Sequence, residues 1–139
     1  MKNYVLAACF LAPLALAGAA FADPARDAIV ASLAAEAAKA DPAFKAFSAA
    51  DGKSFWMADH SGGKPDAPSC TTCHTKDATA TGQTRAGKAI EPMAVSANPQ
   101  RFTEPDKVAK WFLRNCNSVL GRECTATEKG DIITYLMSL

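Results

Sequence analysis

The sequence predicts an all-α fold, three or four helices joined by long loops. Three observations carry this. An Ala-rich stretch without Gly runs from Pro24 to about Ala49, and Ala is the best helix former. Two C-terminal segments repeat apolar residues at the helical period. No alternating apolar and polar run is long enough for a strand of useful length.

The first segment reads as an address. Met1-Lys2-Asn3-Tyr4 is followed by an apolar run from Val5 to Ala17, which matches a bacterial secretory leader and is too short for a membrane span. Ala20-Phe21-Ala22 fits the small-x-small cleavage pattern, so residues 1–22 are expected to be removed and 23–139 to form one domain. Leu6-Ala7-Ala8-Cys9 resembles a lipoprotein box, but too few residues precede it. The remaining 117 residues hold 14 basic and 14 acidic side chains and four cysteines, Cys70, Cys73, Cys116 and Cys124. The periplasm, where disulfides persist, is the expected compartment. No later segment is long enough to insert in a membrane.

In the mature chain, Asp23-Pro24 supplies a helix cap and a Pro at the first helical position. Asp41-Pro42 breaks or restarts that helix, and Phe44 and Phe47 fall on one helical face. Residues 51–69 read as loop because of Gly52, Gly62, Gly63, Pro65 and Pro68. Residues 75–102 also read as loop. Two such loops are unusual in a compact domain, and a large prosthetic group would organise them. Thr103-Glu104-Pro105-Asp106 is a helix start, followed by Val108, Trp111, Phe112 and Asn115 on one face. Asn115 ends this stripe, where an ordinary C-cap is an alternative reading. Thr125-x-x-Glu128 is a capping box, and Ile132, Ile133, Tyr135, Leu136 and Leu139 supply the stripe of the last helix.

Composition excludes several functions. Hydrophobic residues make up 49% of the chain and charged residues 21%, which is globular. A net charge of +1 without a Lys/Arg cluster argues against nucleic acid. Neither G-x-x-x-x-G-K-[ST] nor G-x-G-x-x-G is present.

Cys70-Thr71-Thr72-Cys73-His74 is C-x-x-C-H, the attachment signature of c-type haem. Two thiols three residues apart add to the two vinyl groups of one porphyrin, and the adjacent His reaches the iron. Composition alone would produce the pattern about 0.003 times in this chain. A redox C-x-x-C needs a thioredoxin-like βαβ context. A zinc site would draw on all four cysteines, but an oxidising compartment and the adjacent His count against it, and a structural Cys70–Cys73 disulfide would leave His74 unexplained. One haem also enlarges the core of a chain this short.

The second axial ligand decides function. Met93, in Glu91-Pro92-Met93, lies 19 residues after His74 in a loop and would make an electron carrier with a raised potential. Met57 and Met137 are weaker candidates. His60 reads as an exposed loop residue. Asn115 is the odd polar group on an apolar face, where an unpaired amide needs a partner. Trp111 and Phe112 would wall the pocket beside it. Arg85, Lys88 and Arg101 are loop cations for the haem carboxylates.

Several stretches resemble the sphaeroides haem protein family, small exported c-type cytochromes. They are Pro68 to His74, Gly87 to Ala94, Asn98 to Thr103, Lys110 to Cys116, and Val119 to Thr125 with Glu128 to Asp131. The resemblance implies a class I cytochrome c-like fold of three to five helices around one covalent haem c. It implies Cys70 and Cys73 as the haem-bearing cysteines, His74 and Asn115 as iron ligands, and a Cys116–Cys124 disulfide. In that family the Asn lets go on reduction and diatomic gases (O2, NO, CO) bind the ferrous iron. The nine-residue loop would contribute about 2–3 kcal/mol and limit the swing of Asn115. A redox partner, another cytochrome or a quinol-linked membrane donor, is expected. An ordinary His/Met electron carrier is the first alternative. A haem enzyme such as an NO dioxygenase is the second, though no distal acid–base group supports it and the reading leans away from an enzyme.

Overall fold

The computed structural model describes residues 22–139. Apart from Ala22, the expected leader lies outside them, as does Cys9. The architecture is all-α, with five helices and one minimal hairpin among the described residues.

Helix α1 spans Pro24–Ala40. The Asp23 carboxylate accepts hydrogen bonds from the amides of Ala25 and Arg26 at 2.9 and 3.1 Å, which caps the free donors of the first turn. The helix stops nine residues before the expected end, because Pro42 follows at once and Asp41 turns the chain by accepting from the Ala43 amide. Phe44 and Phe47 therefore meet outside any helix, with ring centroids 5.0 Å apart. Ile29, Leu33 and Ala37 form the buried stripe of α1. Arg26, only 1% exposed, donates to the carbonyls of Pro99 and Arg101 and ties the start of α1 to that loop.

Helix α2, Ala49–Met57, corrects the loop reading of residues 51–69. Ser48 caps it, accepting from the Asp51 amide at 3.1 Å. Gly52, read as a loop marker, is instead where two helices touch. A Cβ there would stand 2.0 Å from the carbonyl oxygen of Asp131. At Gly130 a Cβ would stand 2.2 Å from the Phe47 ring. Glycine is used here for close approach, not for a turn.

Helix α3 is the single turn Thr71–His74. Residues 75–102 stay largely irregular, except for β1, Gly82–Gln83, pairing antiparallel with β2, Ala89–Ile90. Helix α4 spans Pro105–Leu120. Its cap residue is Glu104, without a side-chain cap bond, while the Thr103 hydroxyl donates to the Gln100 carbonyl. Helix α5, Ala126–Met137, begins with the full Thr125–Glu128 capping box.

Helix α5 is the axis of the core. Ile132, Tyr135 and Leu136 pack with Trp56, Ala78 and Ala94. Ile133 packs with Ile29 and Leu33 of α1. Phe102 and Phe112 touch both clusters. No described helix is long and apolar enough to cross a membrane.

Candidate functional site

The C-x-x-C-H motif occupies α3 and its leading residue. Cys70 stands at the cap, and the His74 amide donates back to the Cys70 carbonyl at 3.1 Å. The Ser69 hydroxyl bonds those of Thr71 and Thr72 at 2.9 and 3.1 Å, which sets the turn. Thr75 leaves it at φ 63°. This brings Cys70, Cys73 and His74 onto one cavity of about 550 Å³. Gly82 closes behind the turn, since a Cβ there would stand 2.2 Å from the Cys73 carbonyl oxygen.

A second contribution comes from α4. Val108, Trp111, Phe112 and Asn115 line the same cavity. Asn115 is not at the end of its helix. Five more residues follow, and Gly121 in the left-handed conformation (φ 70°) makes the C-cap, so the capping alternative for Asn115 falls. Cys116 and Cys124 form a disulfide, and both also border the cavity. The loop it closes is held from outside. The Lys64 amide donates to the Ser118 carbonyl at 2.7 Å, and Arg122 grips Glu128 with two bonds of 2.8 Å.

The cysteines thus divide into an unpaired couple, Cys70 and Cys73, and a bonded couple. Among the described residues no cluster of three His, Cys, Asp or Glu could hold a metal ion, so the zinc reading has no geometry. Burial pushes the Cys70 thiol up to about 11, so it stays uncharged. Burial, with a smaller push from the Arg101 charge, lowers the His74 pKa to about 4. The imidazole is therefore neutral at neutral pH, the form a metal requires. His74 Nδ1 and Trp56 Nε1 are the two buried side-chain polar atoms without a partner among the described residues. Their rings lie 5.5 Å apart, and both residues line the cavity. An unpartnered buried polar atom needs an explanation. A porphyrin suits this donor set, with iron for an imidazole, carboxylates for N–H donors and vinyl groups for two thiols.

Other expected residues sort by position. Met93 lines the cavity, whereas Met57 and Met137 do not. His60 is not the exposed loop residue expected. It is half-buried, its ring 4.5 Å from that of Phe55 and its Nε2 2.9 Å from the Phe55 carbonyl, and it is absent from the cavity wall. Lys88 and Arg101 border the cavity, but Arg85 pairs with Asp66 elsewhere. Arg101 is oriented by the carbonyls of Pro92 and Glu91, at 2.7 and 2.6 Å. Sequence reasoning missed Trp56. The signal was Ser48-x-x-Asp51, a helix start hidden behind Gly52.

The comparisons with known proteins agree with this geometry. The family model described as Domain of unknown function (DUF1924) matches residues 42–136. The chain is 46% identical over 136 residues to the cytochrome c-type protein SHP of Cereibacter sphaeroides, covering 98% of each. It is 36% identical over 100 residues to cytochrome c'' of Methylophilus methylotrophus, 71% of this chain and 69% of that one. Among solved structures, oxidised SHP, described as an oxygen binding cytochrome c, superposes with a TM-score of 0.75 at 45% identity, covering 82% of this chain and 96% of that one. Oxidised cytochrome c'' gives 0.71 at 33% identity, covering 82% and 94%. The chain belongs to the DUF1924 family and to the sphaeroides haem protein family of c-type cytochromes, with covalently bound haem c as its cofactor.

Proposed function

We propose that the chain is an exported, periplasmic monohaem cytochrome that cycles one electron and binds a diatomic gas at an iron position vacated by Asn115. When bound, the haem supplies a one-electron couple and a coordination position for O2, NO or CO. Cys70 and Cys73 tether it through two thioethers. His74 would offer the iron a neutral imidazole. Asn115 would offer the iron a neutral amide, a weaker ligand than imidazole or thioether and so one that would be given up on reduction. Trp111 and Phe112 line the cavity beside it. Residues 1–22 serve as the leader, and a partner cytochrome or quinol-linked donor supplies the electron.

The observation that carries this reading is that Asn115 lines the same cavity as the C-x-x-C-H turn. The oxygen binding ascribed to the SHP relative supports it. So does the haem-ligand detachment ascribed to cytochrome c'' in its solution structure, which covers 82% of this chain at 33% identity. A second reading has its own observation. Met93 borders the cavity too, as an ordinary His/Met electron carrier would need. No histidine other than His74 lines the wall, which favours ligand binding over an NO dioxygenase or other haem enzyme. A reduced-minus-oxidised spectrum with and without CO tests the proposal. The expected result is a CO-shifted ferrous spectrum. A weak band near the red end of the oxidised spectrum, with no response to CO, would favour Met93.

A further inference from the structure

We infer that the solvent side of α4, centred on Lys110, Trp111 and Arg114, is the docking surface for the redox partner, and that this partner is a protein with an acidic face around its own one-electron centre. This rests on the electron-cycling reading above and deepens it. Lys107, Trp111 and Asn115 follow one another at four-residue steps along one row of the helix. All three are exposed and all three line the main cavity, so the cavity reaches the surface along this row. Trp111 is 49% exposed. Lys110 and Arg114 stand 5.7 and 5.6 Å from its ring centroid and hold the indole in place. Leu113, 46% exposed, lies beside them on the same helix.

Charge selects the partner. The mature chain has 14 basic and 14 acidic side chains, yet residues 107–122 carry four cations and no acid. Lys107 is matched by Glu104 at 2.6 Å and Arg122 by Glu128 at 2.8 Å. Lys110 and Arg114 form no ion pair among the described residues. Such a patch on an otherwise balanced protein steers an acidic surface to one side of it. A half-exposed Trp beside an Arg is also the composition of an interface hot spot. A second copy seated on this face would set like charges against each other. An anionic lipid surface would find only Trp111 and Leu113 to insert from this helix. In the docked pair the partner's centre loses one electron to the ferric haem, and no group is transferred.

The test is stopped-flow reduction of the oxidised, haem-loaded protein by reduced flavodoxin, an acidic one-electron donor protein. The second-order rate of the parent should fall as salt rises. Lys110→Glu/Arg114→Glu should lower it about tenfold or more at low salt. Lys39→Glu/Lys45→Glu makes the same charge change at exposed positions off the cavity wall and should lower it less than about threefold. Lys110→Gln/Arg114→Gln, which only removes charge, should show a smaller loss in the same direction. Photogenerated lumiflavin semiquinone, a small neutral donor, should reduce parent and variants at one rate, since it needs no docking. An equal loss in the α4 and control variants would make net charge the whole effect and overturn the surface, as would an unchanged rate in both α4 variants. Parent binding to phosphatidylglycerol vesicles, or a parent dimer, that the α4 variants lose at an unchanged flavodoxin rate would assign the face to lipid or to a second copy instead. A parent protein that neither donor reduces would overturn the electron-cycling reading itself, a separate result.

Discussion

Gly52 of α2 and Asp131 of α5 are in direct backbone contact, so close that a Cβ on Gly52 would lie 2.0 Å from the Asp131 carbonyl oxygen. The same pair of elements is joined again by the Asp131 carboxylate, which accepts from the Ser48 amide at 2.7 Å. This crossing sets Trp56 beside His74 and so shapes one wall of the haem cavity.

Gly52→Ala should therefore cost about 2–3 kcal/mol or more, since backbone cannot yield to an added methyl as a flexible side chain does. Urea unfolding of the haem-loaded protein measures it. An unchanged midpoint would show that α2 can back away freely.

Haem should be held by Cys70 and Cys73 through covalent bonds. Acid–acetone should leave it on the parent protein, and the mass of the chain from Asp23 should exceed the bare polypeptide by one haem. Cys70→Ala/Cys73→Ala should release it to the organic phase. Haem retained by the double variant would refute these attachment points.

Asn115→Ala should leave the oxidised iron high-spin or water-bound, while CO still binds the reduced protein. Met93→Ala should change the spectrum little. The expectation rests on Asn115 lining the same cavity as the C-x-x-C-H turn, where its side chain is exposed and free to reach a bound group. The reverse pattern, with the low-spin state lost in Met93→Ala and kept in Asn115→Ala, would return the protein to ordinary electron carriers.

The Arg122–Glu128 pair predicts a pH effect. The hydrogen bonds from Arg122 come first among the causes that hold the Glu128 carboxyl below its ordinary value. A depressed folded pKa stabilises the fold above the ordinary glutamate value of about 4.3, and that contribution is lost as the pH falls through the lower folded value. Arg122→Ala should reduce stability at neutral pH and flatten this acid limb. Thermal melts from pH 7 to 3 check it, and an unchanged acid limb would mean that the pair contributes nothing.

Much of this protein was legible in the order of its residues. The C-x-x-C-H spacing, the Thr125–Glu128 capping box and the α4 stripe each depend on neighbours within one or two turns. Local geometry converts such spacing directly into a shared face or a satisfied cap. The all-α class followed from the same short-range rules, and the C-x-x-C-H spacing named haem before any family likeness did. What depended on distant contacts was not legible. Gly52 looked like a loop marker because its reason, the carbonyl of Asp131, lies 79 residues away. Asn115 looked like a helix end, but the α4 helix runs on to Gly121, where the loop packs on Gly62. Arg85 and Arg101 were equal as loop cations until Asp66 engaged one and the carbonyls of Glu91 and Pro92 oriented the other toward the cavity. Spacing along the chain determines which side chains share a face, but only packing decides which faces meet, because close approach and charge pairing act through space between segments that local propensity does not connect.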